Sequence, residues 1–188
     1  MGRPRRAQPT TVPLHITARG VRRLPIFATD EDYELYTSLL AEAARRFGWT
    51  ILSFSLLPNH VHLVIRLRKE NLAEGMKWLH CLHATRFNRR HGYSGHAFDS
   101  RYYSKPIESE EHLLRVMRYV ALNPVLAGLC DDPGDWRWSS FAGIAAEGRG
   151  YSFVAEARAR AIYAADQSEG AHAFAASIRS ALGELTAA

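Results

Sequence analysis

Residues 56–68 read LLPNHVHLVIRLR, and this stretch decides the fold. Pro58 and Asn59 form a turn signal between two runs that alternate as β-strands do, which predicts two antiparallel strands. Because successive side chains of a strand point to opposite faces, the second strand has one wholly apolar face. The members of that face are Val61, Leu63, Ile65 and Leu67. The apolar face belongs to the core, whereas the other face carries His60 and His62 and is expected to be exposed.

The composition is that of a globular protein with one sizeable core. The chain has 188 residues, of which 47% are hydrophobic and 23% are charged, and these shares leave room for a small appendage beside the core. A formal net charge of +5 favours polyanionic partners, with nucleic acids and anionic membrane surfaces as the two candidates.

The sequence carries no sign of export or of membrane insertion. It has no run of about 18 apolar residues, and its basic start lacks the apolar segment of a secretory signal. Cys81 and Cys130 lie far apart and lack the spacing of zinc ligands, so neither a disulfide framework nor a structural zinc site is expected. These features predict a cytoplasmic protein.

The segments around this stretch predict a β-α-β-β-α-β-α order. Strands are expected at 12–20, 50–57, 60–68 and 101–107, and helices at 30–47, 71–90 and 109–123. A separate helical turn is expected to open at Pro124. The order predicts an α+β fold of the ferredoxin-like split βαβ type, with an antiparallel sheet, helices on one face and a helical C-terminal tail.

Three regions are expected along the chain. Residues 1–11 form a flexible basic arm, residues 12–141 form the main folded domain, and residues 142–188 form a helical C-terminal appendage. The composition beyond Gly150 becomes rich in alanine and in charged residues, which indicates short helices and not a second large domain.

The histidine pair allows two interpretations. Two half-exposed imidazoles on a polar sheet face need have no function. Two neutral imidazoles on one rigid strand are also able to chelate a metal ion, provided that a third ligand comes from elsewhere in the chain. The spacing of His60 and His62 leaves both interpretations open.

The helix expected at 109–123 carries a polar stripe beside its apolar one. This stripe runs through His112, Arg115, Tyr119 and Asn123, which recur at intervals of three and four residues. Tyr119 and Asn123 therefore project in nearly the same direction. Each also has a local interpretation, Tyr119 as a ring packed on the helix flank and Asn123 as the cap of the next helical turn.

Four segments together resemble one protein family. In chain order they read LLPNHVHLVI, GHAFDSRYYSKPI, LLRVMRYVALNPVLAGL and DWRWSSF. From about residue 12 to residue 141 the chain resembles the REP-associated tyrosine transposases, relatives of the single-tyrosine HUH transposases of small bacterial insertion sequences. PNHVHL and RYVALNPV at this separation are far more specific together than either is alone. Leu126 departs from the pattern, because an arginine is common at that position.

The resemblance implies a chemistry for the polar residues. His60 and His62 match the two histidines of the HUH motif. Asn123 matches the polar residue that completes the metal site, and Tyr119 matches the nucleophile. The family's ion is divalent, Mg²⁺ or Mn²⁺. The implied reaction is cleavage of single-stranded DNA next to a hairpin-forming repeat, through a covalent 5′-phosphotyrosine and a free 3′-OH. Relatives include monomers and homodimers, so the oligomeric state stays open.

Several cations are candidates for DNA contacts, because arginine and lysine bind phosphates and the chain places aromatic residues among them. The candidates are Arg3, Arg5, Arg6, Arg86, Arg89, Arg90, Arg101, Lys105 and Arg115. Arg115 is also a candidate for offsetting charge near the nucleophile. Tyr102 and Tyr103 are rival nucleophiles, ranked below Tyr119 because they lie on a strand and lack an asparagine four residues later.

Three functions are consistent with this pattern. The first is a metal-dependent single-strand DNA transesterase that acts beside hairpin repeats in the bacterial cytoplasm, associated with the nucleoid when bound to DNA. The alternative is a domesticated protein on the same fold that binds hairpin DNA without cleaving it. The third is a metal-dependent hydrolase that uses water, with Tyr119 in a structural role.

Overall fold

The fold is built on a four-stranded antiparallel sheet with the strand order β2-β3-β1-β4. The computed structural model describes residues 9–164 and 166–186. The strands are β1 (Leu14–Arg19), β2 (Thr50–Leu57), β3 (His60–Arg66) and β4 (Tyr103–Pro106). With the helices between them, this order is the ferredoxin-like split βαβ arrangement, so the predicted fold class is confirmed.

The apolar face of β3 forms the floor of the main core, as its alternation predicts. Leu63 and Ile65 are fully buried there, beside Ile16 of β1. Two long helices, α1 (Asp30–Phe47) and α2 (Leu72–His91), cover this face and pack against each other. Burying one face of a sheet under the apolar stripes of two helices is the usual way to close such a core.

Local sequence signals set the ends of both helices. The α1 helix begins with a capping box between Thr29 and Asp32 and ends at Gly48, which adopts a left-handed conformation with φ of 67°. The α2 helix ends in the same way at Gly92, also with φ of 67°. A residue with a Cβ atom is strained at such an angle, so glycine is the residue that ends these helices at least cost.

Asp32 joins the start of α1 to the end of α2. Its fully buried carboxylate accepts hydrogen bonds from the backbone N–H groups of Ala28 and Thr29 and from the side chains of Arg90 and His91. Burial alone raises the pKa of Asp32, but these hydrogen bonds outweigh it and hold the pKa below its ordinary value. Asp32 is therefore ionised in the folded protein.

The third helix, α3 (Glu110–Leu126), shows that the prediction of helices on one face only was wrong. This helix crosses β2 and β3 on the histidine face of the sheet. Its Val116 and Val120 pack against Leu52 and Val64 in a second apolar cluster. Val64 shares a face with the histidines and is fully buried. The expectation that this face is exposed was therefore wrong for the part that α3 covers.

The α3 helix also runs past the point where it was expected to stop. Asn123 and Pro124 both lie inside the helix, which ends at Leu126, so the separate turn predicted at Pro124 was wrong. The Asn123 side chain donates from Nδ2 to the Tyr119 carbonyl oxygen at 3.0 Å. Asn123 is thus not a cap, and its Oδ1 atom is left to face β3.

The C-terminal region adds three helices to the same core. They are α4 (Phe141–Ile144), α5 (Glu156–Arg160) and α6 (Gln167–Thr186). Phe141, Ile144 and Phe174 belong to the main apolar cluster, and an isolated bridge pairs Ile51 with Val154. The helical tail is confirmed, whereas the domain boundary at residue 142 stays a prediction. None of the helices in the described ranges is both long and apolar enough to span a bilayer.

Candidate functional site

The strand register and α3 bring the histidines, the tyrosine and the asparagine together. His60 and His62 lie on one face of β3, with ring centroids 5.0 Å apart. The Nε2 atom of His60 is 3.4 Å from Oδ1 of Asn123. The Tyr119 ring stands edge-on to the His62 ring, with centroids 5.2 Å apart and planes at 89°. These four residues form the candidate site.

Hydrogen bonds fix which nitrogen of His60 faces the site. The Nδ2 group of Asn59 donates to the Arg23 carbonyl, so Asn59 Oδ1 is free to accept from His60 Nδ1 at 2.7 Å. The proton of the neutral imidazole is therefore on Nδ1, and Nε2 carries a lone pair. That lone pair faces the lone pairs of Asn123 Oδ1 with no hydrogen between them.

His62 is held by a histidine that the sequence interpretation did not select. The Nδ1 atom of His62 lies 3.0 Å from Nε2 of His15, and the two rings stack with centroids 5.3 Å apart. The buried Nε2 atom of His62 has no hydrogen-bond partner among the described residues. When His62 donates from Nδ1 to His15, Nε2 keeps its lone pair, which is the tautomer that binds a cation through Nε2.

The histidines of the site favour the neutral form. Burial, followed by the positive charges of neighbouring groups, Arg19 among them, lowers the pKa of His62 to about 3. Burial also lowers the pKa of His60, against the opposing effect of its contact with Asn123. For His15, burial followed by the charges of nearby basic groups lowers the pKa to about 4. Neutral imidazoles are the form that ligates metals.

The donor set fits a small divalent cation. Two atoms bound to one ion at about 2.1 Å lie roughly 3.0–3.4 Å apart, and His60 Nε2 and Asn123 Oδ1 are 3.4 Å apart. The unpaired Nε2 of His62 supplies a further donor. Within residues 9–164 and 166–186, no cluster of three His, Cys, Asp or Glu side chains is placed to hold a metal, so a third ligand for an ion at the two histidines would have to be the Asn123 oxygen.

Tyr119 lies at the open side of the site. Its side chain is 46% exposed, and its ring contacts both His62 and His15 edge-on. The rival Tyr102 is 7% exposed and belongs to the main core on the far side of the sheet, so it cannot reach a substrate. Tyr103 is exposed but is separated from His62 by the whole width of β1.

The predicted DNA-binding cations are distributed over several surfaces. Arg3, Arg5 and Arg6 lie outside the described residues. Arg86 and Arg89 are exposed on α2, behind the sheet as seen from the histidines. Arg90 is held in an ion pair by Asp32, which gives it a structural role that the charge pattern did not predict.

The remaining cations lie closer to the candidate site. Arg101 is exposed just before β4. Lys105 is exposed on β4, opposite His15. Arg115 lies one turn before Tyr119 on α3, where it pairs with Glu111 at 2.8 Å.

Three residues near the site escaped the sequence interpretation. His15, Arg19 and Asn59 all contact or border the histidine pair. A signal was present for the first two, since the β1 segment places His15, Thr17 and Arg19 on one face and apolar residues on the other. Their pairing with β3 depends on the strand order, which is a non-local property.

Comparisons with known proteins identify a family and a similar fold for this chain. The family model described as IS200-like transposase matches residues 10–123. A solved structure described as a REP-associated tyrosine transposase bound to a REP hairpin is similar in fold, with a TM-score of 0.64. The two sequences are 17% identical over 82% of this chain and 97% of that chain. No functionally curated protein matches significantly.

The family match includes every residue of the candidate site. It begins before β1 and extends through Asn123, so the resemblance to tyrosine transposases is confirmed. Because this match spans more than half of the chain, the chain belongs to the IS200-like transposase family.

Proposed function

We propose that the protein cleaves and rejoins single-stranded DNA beside hairpin-forming repeats, with Tyr119 as the nucleophile. The observation that carries this proposal is the position of the Tyr119 ring. Its centroid is 5.2 Å from that of the His62 ring, on the face of the sheet where His60 meets Asn123. The related protein of known structure was solved with a REP hairpin, which supports hairpin DNA as the partner.

The reaction assigns a task to each side chain. The phenolic oxygen of Tyr119 attacks the scissile phosphorus, and the bond to the 3′ oxygen breaks. The phenol gives up its proton and the departing 3′ oxygen gains one, which leaves a 5′-phosphotyrosine and a free 3′-OH. Because the phosphotyrosine keeps the energy of the phosphodiester, a 3′-OH is able to displace the tyrosine later without ATP.

His60, His62 and Asn123 would hold a divalent ion, Mg²⁺ or Mn²⁺, beside the phosphate. When bound, the ion supplies electrophilic stabilisation of the charge on the phosphate oxygens. Asn59 and His15 orient the two imidazoles, because each forms a hydrogen bond with the Nδ1 atom of one ring. The three side chains lie on a rigid strand and on a helix packed against it, so holding an ion would require no reordering of the chain.

Replacing Tyr119 with phenylalanine is expected to abolish the covalent protein–DNA adduct. The change removes one oxygen and keeps the ring contacts with His62, so the fold and DNA binding are expected to persist. The measurement is a denaturing gel after incubation with end-labelled hairpin DNA and Mn²⁺. Tyr103→Phe serves as the matched control, since Tyr103 is exposed on the same sheet face, and it should keep the adduct.

The other outcomes of this experiment identify the competing functions. DNA binding without an adduct in the wild type would indicate a protein that binds hairpins and does not cleave them. Cleavage that survives in Tyr119→Phe without any protein–DNA adduct would contradict the tyrosine mechanism and indicate hydrolysis by water. Loss of the adduct in Tyr103→Phe but not in Tyr119→Phe would move the nucleophile to β4.

Affinity for Mn²⁺ is expected to change little between pH 7 and pH 6. Falling pH adds protons that compete with the metal for imidazole. The pKa of His62 is lowered to about 3 by burial and nearby positive charge, so this ring stays neutral through the window. Burial also lowers the pKa of His60, so protons compete less at His60 than at an ordinary imidazole. A site with two histidines of ordinary pKa would lose about tenfold in metal affinity as the pH falls from 7 to 6. Isothermal titration calorimetry measures the difference, and a tenfold loss would contradict the expectation.

We also propose that the protein works in the cytoplasm, bound to DNA of the bacterial nucleoid. Both cysteines are free thiols in the fold, and Cys81 is exposed, which suits a reducing compartment. The net charge of +5 favours a polyanion as partner. Size-exclusion chromatography with light scattering would determine whether the DNA-binding form is a monomer or a homodimer.

A further inference from the structure

Half of the histidine face of the sheet is not covered by α3. That helix packs on β2 and β3, whereas β1 and the neighbouring edge strand β4 present polar side chains on the same face. Arg19, Tyr103 and Lys105 are exposed there, and the strand register places all three on the side of His60 and His62. We refer to these three residues as the open strip.

Arg19 lies beside the candidate site itself. It is paired directly opposite His60 in the ladder between β1 and β3, an arrangement that brings Cβ atoms within about 5 Å of each other. The charge of Arg19 contributes to lowering the pKa of both His60 and His62, as expected for a guanidinium close to both rings. Among the described residues no carboxylate forms an ion pair with Arg19.

The whole histidine face of the sheet lacks acidic residues. Position by position, the residues that the strands place there are neutral or basic. A cluster of cations without a counter-charge repels itself, and an external anion relieves that repulsion. Arg19 and Lys105 lie near opposite ends of the open strip, so the anion that they fit is an extended one.

Tyr103 supplies a different kind of contact between these two cations. Its side chain is 59% exposed, although large aromatic residues usually bury most of their surface. Thr17 lies between Tyr103 and His62 in the sheet, so the tyrosine is two strand spacings, about 10 Å, from the histidine. An exposed ring flanked by cations is the surface on which unpaired bases stack.

We propose that the open strip is the path of the single-stranded DNA segment that enters the candidate site. Arg19 binds the scissile phosphate, Tyr103 stacks on the base of a nearby nucleotide, and Lys105 contacts a phosphate further along. The inference rests on the proposed function. It adds the route of the DNA, because it states which side of the sheet the single-stranded DNA crosses to reach the candidate site. Double-stranded stems lack free base faces, so Tyr103 discriminates between paired and unpaired DNA.

The test measures binding of a fluorescein-labelled oligothymidylate by fluorescence anisotropy, with EDTA present to prevent cleavage. Tyr103→Ala is expected to weaken this binding roughly 5- to 100-fold, the usual effect of losing one stacked base, whereas Tyr103→Phe keeps the wild-type affinity. A hairpin without single-stranded extensions should bind Tyr103→Ala as it binds the wild type.

Arg19→Gln gives a second, electrostatic readout. The slope of log affinity against log salt concentration should fall by about 0.7, the share of one phosphate contact to a single strand. The matched control is Arg45→Gln, which removes an exposed arginine of α1 on the other side of the sheet and should leave the slope unchanged.

Three results would overturn the proposed path. They are unchanged oligothymidylate binding in Tyr103→Ala, an equal loss on the blunt hairpin, and equal salt slopes for the wild type and Arg19→Gln. The adduct assay with Tyr119→Phe is independent of all three. If the wild type forms the adduct while Tyr103→Ala binds oligothymidylate normally, only the proposed path is refuted. If the wild type forms no adduct while Tyr103→Ala binds oligothymidylate more weakly, the proposed cleavage is refuted and the open strip remains a binding surface.

Discussion

His62→Ala is expected to weaken Mn²⁺ binding at least about 100-fold and to reduce adduct formation by about 10²- to 10³-fold. The imidazole is 4% exposed and has an unpaired Nε2 atom. His15 holds the other ring nitrogen at 3.0 Å, so the orientation of the ring is set before any ligand arrives. Alanine removes this proposed ligand, and no cluster of carboxylates or other metal-binding side chains among the described residues is placed to take over its role.

The control for this prediction separates ligand loss from a general loss of structure. His172→Ala changes an exposed histidine on α6, outside the candidate site, and should leave metal affinity and adduct formation intact. Isothermal titration calorimetry gives the affinity, and the thermal unfolding midpoint reports on the fold. Unchanged Mn²⁺ affinity in a folded His62→Ala protein would show that the ion binds elsewhere.

Asp32→Ala is expected to lower the free energy of unfolding by about 3 kcal/mol. The change leaves two backbone N–H groups at the start of α1 without their acceptor and removes two charge-assisted hydrogen bonds from α2. Arg90 is partly exposed and can turn to solvent, which keeps the cost below that of a wholly buried pair. Urea unfolding at pH 7 measures the difference.

The pH dependence of the same pair gives an independent check. The pKa of Asp32 is lower in the folded than in the unfolded chain, so its contribution is present above the ordinary value of about 3.8 and is lost as pH falls through the folded pKa. The gap between the wild type and Asp32→Ala should be constant from pH 7 to pH 5 and shrink in stronger acid. Asp30→Ala, which removes an exposed ion pair with Arg137, should cost less than 1 kcal/mol.

Local patterns were sufficient to predict most of the framework. The strand Thr50–Leu57 and the helix Asp30–Phe47 have the predicted bounds, because alternation, a capping box and a terminal glycine are all properties of short segments. The turn at Pro58 and Asn59 was likewise readable from the two residues that form it. Given that framework, the family resemblance predicted which residues meet at the site.

The residues that the sequence did not predict depend on contacts between distant segments. Val64 on the histidine face was the one sign that a helix covers it, but a single valine does not indicate which helix. His15 binds His62 only because β1 lies next to β3, and Arg90 pairs with Asp32 only because α2 ends beside the start of α1. The distribution of charged residues along the sequence predicts that a cation lies on the surface. It does not predict whether that cation binds DNA or forms an ion pair within the protein.

The most direct test of the central claim is to locate the attachment site of the DNA by mass spectrometry. The wild-type adduct is digested with nuclease and trypsin, and cleavage after Arg118 makes Tyr119 the first residue of its peptide. The mechanism predicts a nucleotide phosphate on Tyr119 and on no other tyrosine. A phosphate on Tyr103 or on any other tyrosine, or DNA that is cleaved while every tyrosine stays unmodified, would contradict it.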